Sequence, residues 1–159
     1  MNRRIVISPA RSPADVQAVS QLFEQYASSL PIDLGYQDFS CELASLPGKY
    51  APPTGELLIA RDEQDAAVGC VGIRPLPEAG WSEMKRLFIL PEKRGTGLGK
   101  ALAQAAIERA KSLGYAEMRL DTLPTMRSAI TLYGRLGFRP CAPYYAPTPA
   151  GTLFLAKSL

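Results

Sequence analysis

The chain has 159 residues, 47% of them hydrophobic and 21% charged, a globular composition long enough to bury a core without metal or disulfide support. It contains no histidine, which excludes Ser-His and Cys-His nucleophilic systems and histidine metal sites and leaves acid-base work to Glu, Asp, Tyr, Lys or bound water. The net charge is +3, and Lys and Arg are scattered apart from Arg3-Arg4 and Lys93-Arg94, so no nucleic-acid-binding stripe is present.

Cys41, Cys70 and Cys141 are odd in number and lack CxxC spacing, which fits reduced thiols of a cytoplasm. Only Ile5, Val6 and Ile7 form an apolar run before Ser8-Pro9, far short of a signal peptide or membrane span. A soluble cytoplasmic protein with no membrane and no nucleic-acid partner is expected, folded as one domain over residues 1–159.

Residues 4–7 read as a first strand, and Ser12-Pro13-Ala14-Asp15 as a helix start with a capping hydroxyl and Pro at the first helical position. Val16, Val19, Leu22, Phe23 and Tyr26 then recur at helical spacing. Phe39, Leu43 and Leu46 predict a second, shorter helix over 36–46, stopped by Pro47-Gly48. Residues 56–61 and 67–76 read as strands joined by the polar turn 62–65. A strand over 82–90 ends at Pro91, and a helix follows from Leu98 until Gly114 stops it. The remainder reads as a strand over 116–123, a helix over 125–136, and a last pair of extended segments, Phe138-Arg139 and 152–157, either side of a Pro-rich loop over 140–149 holding Tyr144-Tyr145. The order β-α-α-β-β-β-α-β-α-β-β predicts an α/β fold. Its mixed sheet carries helices on both faces, antiparallel early and parallel where helices cross over.

Between the 82–90 strand and the next helix stands Arg94-Gly95-Thr96-Gly97-Leu98-Gly99-Lys100. A glycine-rich turn feeding a helix N-terminus lets backbone N–H groups converge on an anion, aided by the first-turn donors and the positive end of the helix dipole. A Walker A reading fails because Arg94 stands at its first Gly position and Ala101 at its hydroxyl position. A dinucleotide fingerprint requires GxGxxG tight against a strand, whereas this chain has GxGxG after the intervening residues 91–94; Asp121 alone keeps that option open.

The same stretch resembles the R/Q-x-x-G-x-G/A coenzyme A signature of the GNAT N-acetyltransferase superfamily. Residues 83–91 resemble that family's fourth strand, and Ala129-Ile130-Thr131-Leu132-Tyr133-Gly134-Arg135-Leu136-Gly137-Phe138 resembles its A-x-x-L-Y-x-x-x-G-F segment. The clear resemblance covers residues 83–138.

It implies a GNAT-like acyl-CoA N-acyltransferase fold, with acetyl-CoA as co-substrate and no metal. Arg94, Gly95, Thr96, Gly97, Leu98, Gly99 and Lys100 would cradle the diphosphate. The strands 83–90 and 116–123 would splay to admit the pantetheine arm along the backbone of Leu87, Phe88 and Ile89. Tyr133 would be the general acid toward the thiol. Glu83, eleven positions before Arg94 as in histone-acetylating members, would be the base. Strand alternation would set Glu83, Lys85 and Leu87 on one face, with Lys85 pairing with Glu83. The early helical pair would border the acceptor, making Tyr26, Asp33, Tyr36, Asp38 and Glu42 candidate contacts. Many members carry Asn where this chain has Met126, so one polar contact is missing.

The activity implied is acetyl transfer to a primary amine of a small molecule or peptide by direct attack in a ternary complex. The alternative is a non-catalytic acyl-CoA-binding sensor. The acceptor and the oligomeric state, a homodimer included, stay open.

Overall fold

A computed structural model describes residues 4–159. Met1, Asn2 and Arg3 lie outside the described residues, and with them the Arg3 half of the basic pair.

Strand β1 (Val6–Pro9) leads into helix α1 (Pro13–Ser29). Ser12 starts that helix as the sequence predicts: its hydroxyl accepts from the Asp15 N–H at 3.1 Å, and Asp15 reciprocates to the Ser12 N–H, a capping box. Val19, Leu22 and Phe23 then point inward.

The helix predicted over 36–46 is instead two pieces. The Asp33 carboxylate accepts from the Gly35 N–H at 2.6 Å and caps a 3₁₀ turn, Leu34–Gln37. Asp38 then takes the left-handed conformation (φ 56°) before α2 (Phe39–Ala44), a conformation that Asp tolerates better than most residues. The break turns Gln37 toward the sheet. After a second 3₁₀ turn (Gly48–Tyr50) come β2 (Glu56–Arg61), β3 (Ala67–Pro75), β4 (Trp81–Ile89), α3 (Leu98–Ser112), β5 (Glu117–Thr122), α4 (Arg127–Arg135), β6 (Arg139–Pro140) and β7 (Leu153–Ser158).

The seven strands form one sheet in the order β1-β2-β3-β4-β5-β7-β6. Every neighbouring pair is antiparallel except β4 with β5. That parallel pair is short. Trp81, Ser82 and Glu83 face Glu117, Met118 and Arg119, and the ladder stops there, so the two strands fork beyond Glu83.

Apolar residues alternate along the strands into two cores. Leu58, Val71, Ile73, Met84, Met118 and Leu120 pack against Leu102, Ala106 and Ala110 of α3 and Tyr133 of α4. On the other face Leu57, Ile59, Cys70 and Phe88 meet Val19, Leu22 and Phe23 of α1. Full burial of such side chains contributes about 1.5–3 kcal/mol each.

A polar tie joins the elements. Glu56 is 0% exposed; Arg11 reaches its two carboxylate oxygens at 2.6 and 2.9 Å, and Arg109 from α3 adds a third bond at 2.8 Å. Burial pushes the Glu56 pKa up, but the two guanidinium groups outweigh it and hold the group below the usual carboxylate value.

Candidate active site

The glycine loop is built to leave space. Gly95 (φ 76°) and Gly97 (φ 86°) both lie in the left-handed region, and a Cβ on either would meet no atom within 4 Å. Glycine alone enters that conformation without strain. The first α3 hydrogen bond runs from the Ala101 N–H to the Gly97 carbonyl. Among the described residues, the backbone N–H groups from Gly95 to Lys100 donate to no backbone carbonyl. Several free donors thus meet open space at the positive end of a 15-residue helix, the kind of helix start that suits an anion. Thr96 Oγ1 donates back to the Lys93 carbonyl at 2.7 Å, which braces the turn. Arg94 folds across the end of β4, its Nε donating to the Ile89 carbonyl at 3.1 Å.

The second component is the fork. Opposite β3 the register slips between Cys70, facing Phe88, and Gly72, facing Lys85. One extra residue is therefore inserted in β4, where Arg86 adopts φ 60°, and such a bulge reverses side-chain alternation. Lys85 and Arg86 consequently share the α1 face, where both reach Gln37, while Leu87 packs in the α3-face core. The expectation that Glu83, Lys85 and Leu87 share a face holds only up to the bulge.

Beyond the last paired rung the fork encloses a cavity of ≈ 30 Å³. Lys85 and Leu87 of β4, Asp121 of β5, Tyr133 of α4, Tyr26 of α1 and Gln37 are among its lining residues. Tyr133 lies 7% exposed, edge-on to Phe138. Burial, with smaller contributions from Tyr26 and Asp121, pushes its pKa above the ordinary phenol value, so the hydroxyl keeps its proton at neutral pH. Among the described residues the Tyr133 hydroxyl makes no hydrogen bond.

Glu83 occupies the last rung, opposite Arg119, and is 1% exposed. Arg74 Nε donates to Oε1 at 2.7 Å, and the Tyr144 hydroxyl donates to Oε2. The partner of Glu83 is thus Arg74, because Lys85 turns to Gln37 Oε1 at 3.1 Å and Asp121 Oδ1 at 3.4 Å. Burial pushes the Lys85 pKa down, against the pull of Glu83 and Asp121.

Gln37 is a hub that sequence reasoning missed. Besides Lys85, its oxygen accepts from Arg86 at 2.6 Å, and its nitrogen donates to Tyr145 at 2.8 Å and Tyr36 at 3.0 Å. Tyr145 in turn donates to Asp121 Oδ2 at 2.7 Å. Of the five early candidate contacts, Tyr26 and Tyr36 line the fork. Glu42 is taken by Arg86 at 3.0 and 3.2 Å, and Asp33 and Asp38 serve the turn before α2. Met126 heads α4 without capping it and receives a bond from the Thr122 hydroxyl on its sulfur at 3.6 Å.

A much larger hollow, ≈ 760 Å³, lies between α1 and residues 43–57, lined by Gln17, Glu24, Leu43 and Tyr50 among others. It contains neither the glycine loop nor Tyr133, so size does not locate this site.

Comparisons with known proteins agree with this geometry. The sequence profile of the acetyltransferase (GNAT) family matches residues 18–138. An uncharacterised N-acetyltransferase of Schizosaccharomyces pombe is 42% identical over 141 residues, covering 89% of this chain and 86% of its own. The structure of a candidate acyl-CoA N-acyltransferase from Klebsiella pneumoniae superposes with a TM-score of 0.74 at 31% identity, over 99% of both chains. A GNAT-family acetyltransferase from Staphylococcus aureus shares the fold, with a TM-score of 0.79 at 20% identity over 98% of this chain and 99% of the other. No helix among the described residues is long and apolar enough to cross a membrane. A mixed sheet forked beside a helix whose start is an open glycine cradle, matched by the family profile over most of its length, places this chain in the GNAT family of acetyltransferases.

Proposed function

We propose that the chain is a single-domain N-acetyltransferase that carries an acetyl group from acetyl-CoA to a primary amine of a small molecule or peptide in a ternary complex. The observation that carries this reading is the open left-handed glycine pair at the head of α3, on the same face of the sheet as Tyr133. Residues 94–100 hold the diphosphate through backbone N–H groups. The edge of β4 from Leu87 to Ile89, freed from β5, offers strand pairing to the pantetheine amides.

Acetyl-CoA supplies the activated thioester carbonyl. The residue that the bulge inserts in β4 stands outside the ladder, and a strand N–H there stabilises the developing oxyanion. Tyr133, neutral because buried, gives its proton to the departing thiolate. Glu83, which the family resemblance nominates as base, has both oxygens engaged and acts only through water.

The test is an amine panel with acetyl-CoA, following free thiol, paired with calorimetric titration of acetyl-CoA. Saturable binding with amine-dependent thiol release supports the reading. Binding without release from any amine leaves an acyl-CoA sensor, and no binding refutes both.

A further inference from the structure

The fork is lined by residues from both faces of the sheet, and the groups on those faces differ. The α3 face holds the glycine cradle and Tyr133. On β5, Met118 and Leu120 belong to the α3-face core, so alternation puts Asp121 on the opposite face, where Gln37 and Tyr145 reach it. Asp121 and Tyr133 nevertheless line one cavity. An acyl donor seated on the α3 side and an acceptor approaching from the α1 side would meet between them.

Among the described residues that line this cavity, Asp121 is the only carboxylate. Glu83 stands one rung below, outside the lining, tied to Arg74 and Tyr144. The chain's own Lys85 shows what the site accepts: a primary ammonium is held between Gln37 Oε1 and Asp121 Oδ1. Resting on the transferase reading above, the geometry points to Asp121, rather than Glu83, as the carboxylate that seats the acceptor's ammonium and takes its proton.

Lys85 engages one Asp121 oxygen and Tyr145 and Gln37 the other, so the acceptor R–NH₃⁺ passes one proton to Asp121 through a water, for which ≈ 30 Å³ is room. The freed lone pair forms the N–C bond to the thioester carbonyl and the C–S bond breaks. Tyr133 protonates the sulfur and is reprotonated from solvent. The nitrogen's second proton leaves to solvent and Asp121 then gives up the proton it took, so that, with one proton returned to Tyr133, the sum is amide, thiol and one released proton.

The groups around Asp121 favour this direction. Lys85 and Arg86 face it from β4, Tyr26 from α1, Tyr36 beside Gln37, Tyr133 from α4, and Tyr144 and Tyr145 from the loop before β7, with Glu83 one rung away. A second ammonium entering beside Lys85 is a like charge in a buried site, which disfavours its protonated form. Lys85 therefore acts by repulsion, and Asp121 by acceptance.

The test compares Asp121→Asn with wild type on two acceptors, an aliphatic amine that is protonated at the assay pH and a hydrazide that is already neutral. With the aliphatic amine kcat/KM should fall about 10²- to 10⁴-fold, acetyl-CoA affinity should hold within about twofold, and the acid limb of the pH profile should change. With the hydrazide the defect should shrink by about tenfold or more, since no proton needs removing. Glu83→Gln should keep the wild-type pH limb. Equal losses on both acceptors, or a pH profile for Asp121→Asn superposing on wild type, overturn the assignment. If Asp121→Asn does not fold, Asp121→Glu decides: a retained wild-type pH limb supports it, and a loss equal on both acceptors overturns it. Wild-type protein that releases no thiol with any amine refutes the transferase reading and this assignment with it; wild-type release with an indifferent Asp121→Asn refutes the assignment alone.

Discussion

Helix α3 carries its own control for the phosphate cradle. Gly97 (φ 86°) precedes its first residue and Gly114 (φ 91°) follows its end, and a Cβ on either would meet no atom within 4 Å. Replacing each by Ala therefore imposes the same perturbation, left-handed strain of about 1–2 kcal/mol without a clash. For a chain of this length that strain lowers Tm by about 2–8 °C, similarly in the two variants. Only Gly97→Ala also places a methyl among the free N–H groups of residues 95–100. Losing one charge-assisted bond there costs about 1.5–3 kcal/mol, a rise in the acetyl-CoA Kd of about 10- to 150-fold. Differential scanning fluorimetry without ligand and calorimetry with acetyl-CoA measure the two quantities. Equal Tm losses with equal Kd values refute the cradle; a Kd raised only in Gly97→Ala supports it.

Tyr133→Phe should lower kcat about 10²- to 10⁴-fold at constant acetyl-CoA affinity and nearly constant Tm, because the hydroxyl has no bonded partner to lose; single-turnover kinetics with a confirmed acceptor check this. Glu56→Gln leaves Arg11 and Arg109, 47% and 38% exposed, free to turn to water, so chemical denaturation should show a loss of about 1–3 kcal/mol, below the usual cost of breaking a buried pair. Since the folded pKa of Glu56 is depressed, its stabilisation is full above the unfolded value of about 4.3 and fades as pH falls through the lower folded value. The Tm gap between wild type and Glu56→Gln should therefore narrow in acid, and a constant gap would refute the linkage. Gly72→Ala would set a Cβ 2.6 Å from the Tyr50 ring, and denaturant unfolding should register overpacking of about 1–3 kcal/mol.

Most elements were legible because each carries a local signature: Ser12 with Asp15 for α1, short apolar runs either side of a polar turn for β2 and β3, and the glycine turn for α3. Boundaries moved by a residue or two where helix ends fray. The second helix was misread because Phe39, Leu43 and Leu46 have helical spacing whether or not Asp38 turns left-handed. Nothing in a single sequence announces that Arg86 takes a positive φ, so the bulge and the side-chain reversal it causes were invisible. Gln37 and Tyr145 lie 84 and 24 residues from Asp121, and such meetings are fixed by topology. One signal was available: β4 carries Glu83, Lys85 and Arg86 in a strand between two neighbours, and charges buried in a central strand require partners. That alone argues for polar partners on whatever covers the face.

The strain at Arg86 is intelligible in those terms. A left-handed Arg costs about 1–3 kcal/mol and persists only where its surroundings over-determine it. Here the guanidinium donates twice to Glu42 and once to Gln37, and its carbon lies 5.1 Å from the Phe39 ring centroid. These contacts lock the segment 37–42 onto β4. The same lock holds the Gln37 amide against Lys85 and Asp121, so the bulge that breaks side-chain alternation in β4 also delivers, from an otherwise independent segment, the group that orients the charges of the fork. Without the extra residue, alternation would send Arg86 to the apolar α3 face with Met84. Gln37 would then lose its second donor, and Asp121 would keep Lys85 and Tyr145 without the amide that joins them.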